Sequence, residues 1–337
     1  MIKQLRYITY YLLTALLMSG CSEELHTIAP EEEEYAISMT ATSADMSSRG
    51  IVDSDAALKE QNLGVFAYKE VNGSKTMVFN NTELTYTANK GWDYSPTKYW
   101  DKAATKYCFV AYSPYDESME YDINSHMLTI NNIPYWQSID DDTKDYLVSE
   151  SDYYLSPNNQ GQSVQLNFSH ILSQLVVNIK KDASLSNTEY KLYKVDYINV
   201  PKGDATAKYT YRPAGSINSP TETVAGEMSN IDFLEEDSPL NRFNNESGQE
   251  VETETSISIS HLNVPFTLTD SKHVKVKVTY TVAGTERNKI VDTGITQLEA
   301  GNRYELTLTF KGAEIVPELE VKNWVEPPVD EDPKYNW

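Results

Sequence analysis

The feature that most constrains this chain is a period of two in its apolar residues, repeated in short stretches along most of its length. Tyr35, Ile37, Met39 and Ala41 fall on one face of an extended backbone, and Ala36, Ser38, Thr40 and Thr42 on the other. Tyr107/Phe109/Ala111, Val164/Leu166/Phe168, Ile257/Ile259, Val274/Val276/Val278/Tyr280 and Tyr304/Leu306/Leu308/Phe310 repeat the pattern. Successive side chains of a strand point to opposite faces, so this alternation marks strands with one buried face. Leu175–Ile179 is a more continuous apolar run. Turn material separates the segments: Asn72-Gly73, Asn89-Lys90-Gly91, Pro157-Asn158-Asn159, Ala283-Gly284 and Ala300-Gly301-Asn302. No long segment keeps a 3.6-residue stripe, and helical turns are expected only around Ala56–Gln61 and Asp140–Tyr146. The expected fold is all-β and mostly antiparallel, with the length of two β-sandwich domains. A polar turn at Lys180–Ser184 places the boundary between residues 50–181 and 182–337. Tyr211–Ser256, rich in Glu, Asn, Ser and Thr, is expected to form long loops or hairpin tips.

Charge excludes whole classes of partner. Twenty-eight Lys and Arg against fifty Asp and Glu leave a net charge of −22, so phosphate backbones and anionic membrane surfaces repel the chain. Nucleic acid is therefore not an expected partner. The two cysteines, Cys21 and Cys108, exclude a disulfide-stapled scaffold. Cys21 sits in a special place. Lys3 and Arg6 precede an apolar stretch from Tyr10 to Met18, too short to span a bilayer and suited to an export signal over residues 1–20. Leu17-Met18-Ser19-Gly20-Cys21 resembles a bacterial lipobox, which implies lipid on Cys21 and an outer-membrane lipoprotein precursor; Ser22-Glu23-Glu24 resembles an acidic surface-export tag. Cys108 is left as a small buried apolar side chain.

Catalytic and metal-binding patterns are missing from the sequence. There is no Gly-rich phosphate loop with a following Lys, no Gly-x-Ser-x-Gly elbow and no His-Glu-x-x-His helix. His26, His126, His170, His261 and His273 lack ligand spacing, so no metal or other cofactor is expected. Asp140–Asp145 lacks the Gly and distal Glu of a calcium loop and is expected to be a solvated acidic loop. The 24 Tyr and five Trp are expected mainly in core and cross-strand positions. The chain is not expected to be an enzyme.

Three further stretches carry a family resemblance. They are Lys98-Tyr99-Trp100 with Tyr107–Pro114; Asp145-Tyr146-Leu147-Val148 with Val164–Leu175; and Leu298–Leu308 with Val321-Lys322-Asn323-Trp324. Together with the lipobox, and in this order, they resemble the fimbrillins, the lipoprotein-precursor pilins of Bacteroidales type V fimbriae. The resemblance implies two transthyretin-like β-sandwiches, maturation by an Arg-specific surface protease, and polymerisation with other fimbrial subunits by strand exchange, supporting adhesion to a host or bacterial surface.

Two positions in the chain suit that mechanism. Arg49 is the first Lys or Arg after Arg6 and stands between the strand Tyr35–Thr42 and the first domain. By the resemblance, cleavage between Arg49 and Gly50 removes residues 21–49, a tether and leader strand; otherwise Arg49 is an ordinary loop residue. The second position is residues 313–337, in which Ile315, Leu319, Val321, Trp324 and Val325 are candidate donor-strand residues. Alternatively, Ile315–Trp324 is the last strand of its own domain. The readings that compete with a shaft pilin are a tip or anchor subunit and a non-polymerising surface lipoprotein that binds glycan or host protein.

Overall fold

A computed structural model of the chain describes residues 35–43, 52, 54–139, 143–149, 163–210, 233–234, 240–269 and 271–323. In it the alternating segments become strands, labelled β1 to β23 in chain order among the described residues. The first group closes on itself. β1 (Met39–Ser43) lies between β10 (Val164–His170) and β4 (Gly91–Asp93), and the circuit continues through β9 (Leu147–Ser149), β5 (Lys106–Ser113), β2 (Leu63–Val71) and β3 (Ser74–Thr87) back to β4. Closure leaves this sheet no open edge while β1 is in place. A short helix, α1 (Asp55–Lys59), packs beside β1, capped by the Ser54 hydroxyl, which accepts from the Ala57 N–H at 3.1 Å. It is the helical turn expected near Ala56. The turn expected over Asp140–Tyr146 is absent where the structure describes it, at residues 143–146.

β5 is buried on both faces, and this explains Cys108. Tyr107, Phe109 and Ala111 belong to the cluster inside the closed sheet, with Leu63, Val65 and Phe168. Cys108, Val110 and Tyr112 belong to a second cluster, shared with a small sheet of β6 (Glu120–Asp122), β7 (Met127–Pro134) and β14 (Asp204–Thr210). Alternation in the sequence identified one buried face of β5; packing buries the other as well.

The second cluster continues between two larger sheets. One has the order β23 (Glu314–Asn323), β22 (Asn302–Lys311), β11 (Ser173–Lys181), β17 (Ile257–Asn263) and β8 (Trp136–Ser138). The other has the order β16 (Leu240–Glu250), β12 (Tyr190–Ile198), β19 (Lys275–Val282) and β20 (Thr285–Asp292). Their inner faces meet where the Tyr280 ring packs edge-on to Phe310, with centroids 4.7 Å apart. Two short pairs complete the set: β13 (Val200–Pro201) with β15 (Phe233–Leu234), and β18 (Phe266–Thr267) with β21 (Gln297–Leu298).

The all-β class matches the sequence reading, with one correction of detail, in Tyr211–Ser256. β11 lies between β17 and β22 in its sheet. Its continuous apolar run is that of a strand with neighbours on both sides. The pairing is mostly antiparallel, as expected, with β1 parallel to β10 and β11 parallel to β22. Within Tyr211–Ser256, residues 240–250 form the edge strand β16; most of its positions are open to solvent, so no apolar alternation marked it.

Candidate assembly site

β1 is seated as an inserted strand. Its register runs Met39↔Val164, Thr40↔Gln165, Ala41↔Leu166, Thr42↔Asn167 and Ser43↔Phe168 on one side, and Met39↔Trp92 on the other. The inward residues Ile37, Met39 and Ala41 are 2, 4 and 7 % exposed, whereas Ser38, Thr40 and Thr42 face solvent. Period two in the sequence is thus period two in burial. The backbone is tied at both flanks: Ile37 N–H donates to Lys98 O at 2.9 Å, and Val164 N–H to Ser38 O at 2.8 Å. Tyr94 Oη donates to Ile37 O at 2.6 Å, and burial pushes the Tyr94 hydroxyl up from its ordinary pKa, which keeps it a donor. Outside, Thr42 Oγ1 donates to Asn167 Oδ1 at 3.0 Å.

A few residues after β1 the chain is pinned again. Val52 is 1 % exposed in the same apolar cluster, and its N–H donates to Asp145 Oδ2 at 3.3 Å. Asp145 Oδ1 lies 3.0 Å from His170 Nδ1, with both side chains buried. Asp145 is therefore not part of a solvated loop. Its carboxylate bridges β10 to the segment that follows the leader, as a buried carboxylate with two hydrogen-bonding partners can. Sequence reasoning quoted Asp145 and His170 as parts of motifs but did not pair them; their separation along the chain gives no local signal.

Of the candidate site residues, Cys21, Arg49, Gly50, Trp324 and Val325 lie outside the described residues. Ile315, Leu319 and Val321 lie on β23, at the edge of its own sheet, paired with β22 from Lys311↔Glu314 to Asn302↔Asn323. Ile315 is buried at 6 %, but Leu319 and Val321 are 39 and 51 % exposed. A charged row crosses the outer face of this hairpin. Arg303 Nε donates to Glu305 Oε1 at 2.7 Å, and Lys322 Nζ to Glu305 Oε2 at 3.2 Å. Burial raises the Glu305 pKa, but the Lys322 hydrogen bond and the Arg303 charge outweigh it and hold the carboxyl below its ordinary value. A carboxylate with a depressed folded pKa adds stability above its unfolded pKa and loses it as pH falls through the folded one. The protection of β23 amides, taken relative to the intrinsic exchange rate at each pH, is accordingly expected to fall below about pH 4, and less so in Glu305→Gln.

Several histidines and aromatic side chains elsewhere fall among the described residues. No group of three or more His, Cys, Asp or Glu side chains there is placed to hold a metal. His261 packs between Trp136 and Tyr197, and burial, helped by the Arg242 charge, pushes its pKa down to about 3, so it is neutral. Tyr68, Tyr107, Tyr112, Tyr190 and Tyr197 are core side chains, as the sequence reading expected of most aromatics.

The described chain is all-β, and the strand β1 completes its first sheet. A fimbrillin-like family profile matches residues 49–324, and the chain belongs to that family. A search of curated proteins found no match. Among solved structures, a fimbrial protein from Bacteroides vulgatus superposes with a TM-score of 0.53 at 16 % identity, covering 86 % of this chain and 99 % of that one. A Bacteroides ovatus structure described as a candidate cell adhesion protein gives 0.51 at 12 % identity, covering 87 and 99 %. The tip fimbrial protein Mfa3 of Porphyromonas gingivalis, truncated at its C-terminus, gives 0.41 at 10 %, covering 86 and 100 %.

Proposed function

We propose that this chain is a structural subunit of the shaft of a cell-surface fimbria, exported as a lipoprotein with lipid on Cys21 and polymerised by strand exchange. The observation that carries the reading is the seat of β1. This strand buries Ile37, Met39 and Ala41 in the first domain, yet residues 44–51 alone join it covalently to Val52. Cleavage between Arg49 and Gly50 by an Arg-specific surface protease falls in that connection. It leaves the strand held by hydrogen bonds and packing alone. Its departure uncovers an apolar groove with unpaired backbone groups on β10 and near β4, which invites a replacement strand.

The replacement comes from residues 313–337 of a neighbour. Exposure of Leu319 and Val321 on an edge strand supports this source, with Trp324 and Val325 extending it. Four buried apolar side chains would contribute about 6–12 kcal/mol gross, and each ladder hydrogen bond roughly 1 kcal/mol net. Association and ordering costs of several kcal/mol still leave a durable joint. The protein's role in adhesion is structural, and its bound partners are other fimbrial subunits.

Lipid-free precursor treated with an Arg-specific protease is expected to be cut after Arg49 and to give a ladder of oligomers. Arg49→Ala and truncation after Gly312 should each abolish the ladder. A cut protein that stays monomeric at high concentration would leave a tip, anchor or binding role instead.

A further inference from the structure

Where the two larger sheets meet at β8 and β16, buried polar atoms gather in one knot. β8 ends one sheet and β16 the other, and the Arg242 guanidinium on β16 lies over the Trp136 ring on β8, 5.8 Å from its centroid. Tyr197 on β12 and His261 on β17 complete the group. Their ring centroids lie 5.4 and 6.2 Å from that of Trp136 and 5.5 Å from each other. Trp136, Tyr197 and His261 are 7, 0 and 1 % exposed. Trp136 Nε1, Tyr197 Oη, Arg242 Nε and both ring nitrogens of His261 are buried with no hydrogen-bond partner among the described residues. Folded chains pair nearly all such groups, so their concentration in four neighbouring side chains calls for a partner from outside the chain.

A bulge places Arg242 in the knot. Val195 pairs with Phe243 and Asp196 with Asn241, so Arg242 is the extra residue of β16. A bulge re-aims a side chain and interrupts the ladder. The nearest carboxylate in register is already engaged: Asp196 accepts from Asn241 Nδ2 and pairs with Lys194 Nζ, each at 2.9 Å. No carboxylate among the described residues makes a salt bridge to Arg242. Burial pushes the Arg242 pKa down, yet a guanidinium stays charged, and a buried charge is costly unless paired. Burial also pushes the Tyr197 hydroxyl up, which keeps it a donor, and neutral His261 retains one ring N–H.

Donors therefore come from Trp136, Tyr197, Arg242 and His261, whereas the orphaned acceptors are one His261 nitrogen and Asn263 Oδ1, which is next to Trp136 in register. Water brings lone pairs but no charge. A carboxylate brings two oxygens with about four lone-pair sites, together with the negative charge that Arg242 lacks. We infer that this knot binds a small carboxylate anion, held by Arg242, Tyr197 Oη and Trp136 Nε1. The bulge is the way in, because the ladder is interrupted there and Arg242 is only half-buried. β8, β12, β16 and β17 all lie outside the closed first sheet, so the site depends neither on the leader strand nor on cleavage at Arg49.

The test titrates the uncut, lipid-free, isotope-labelled precursor (Cys21→Ser) with sodium acetate replacing sodium chloride at constant ionic strength. The Trp136 indole N–H resonance, assigned by its loss in Trp136→Phe, should shift and saturate at millimolar acetate, together with the Arg242 Nε–H resonance. Arg242→Gln should abolish the indole shift. Tyr197→Phe keeps the ring in the core and should weaken the affinity about tenfold. Acetate should also raise the melting temperature of the parent chain but not that of Arg242→Gln. An indole resonance that stays in place or moves without saturating would overturn the proposal. Unchanged affinity in both Arg242→Gln and Tyr197→Phe would overturn it as well.

Discussion

Replacing Ile37 and Met39 together by alanine should lower the stability of the uncut precursor by about 4–10 kcal/mol, since each large-to-alanine change in a core costs about 2–5 kcal/mol. Both side chains lie almost fully inside the closed sheet, and Trp92 and Trp100 belong to the same apolar cluster. Their fluorescence should report the loss in a urea titration. The effect is large for so short a strand because it has a double role. β1 supplies apolar side chains to the interior and also satisfies backbone groups of β10 that would otherwise face an open groove. Ser38→Ala with Thr40→Ala, on the solvent side of the same strand, should change stability by less than about 1 kcal/mol. Equal losses from the two faces would contradict the inserted-strand geometry.

The second large effect is expected at Asp145. Asp145→Ala removes the buried acceptor shared by His170 Nδ1 and the Val52 N–H, leaving two buried donors unsatisfied at about 1–3 kcal/mol each. Asp145→Asn keeps an oxygen that accepts from one of the two and should cost less. The change also has a functional readout. Val52 anchors the far end of the connection from β1, so its release should speed proteolysis between Ser43 and Val52. Limited proteolysis at a fixed enzyme ratio, with cut sites assigned by mass, compares the variants; an unchanged rate in Asp145→Ala would mean that this anchor does not restrain the connection.

How far the sequence revealed this molecule depends on how local each determinant is. β1, β10, β19 and β22 were legible because each has one buried face, and side-chain alternation records that directly. β16 was not, because an edge strand open to solvent carries no such record. The polar turn at Lys180–Ser184 marks the end of a strand but not which sheet the strand joins; the partners of β11 lie far along the chain. The leader was recognisable as a strand, and family resemblance gave it a role. Its neighbours, the parallel β10 and the tip of β4, are set by closure of the whole sheet. The Asp145–His170–Val52 contact had no sequence signature because its three members come from separate segments.

The central claim is that the seat of β1 is where subunits join. Its most direct measurement is an intermolecular disulfide across that groove. Asn167→Cys lines the groove beside Thr42, and it is paired with single cysteines placed in turn from Ile315 to Val325, in a Cys21→Ser background. Covalent dimers and higher oligomers are predicted only after cleavage at Arg49, and only for donor positions on one face of the strand. Oligomers that form after cleavage with no cross-link at any position would contradict the account.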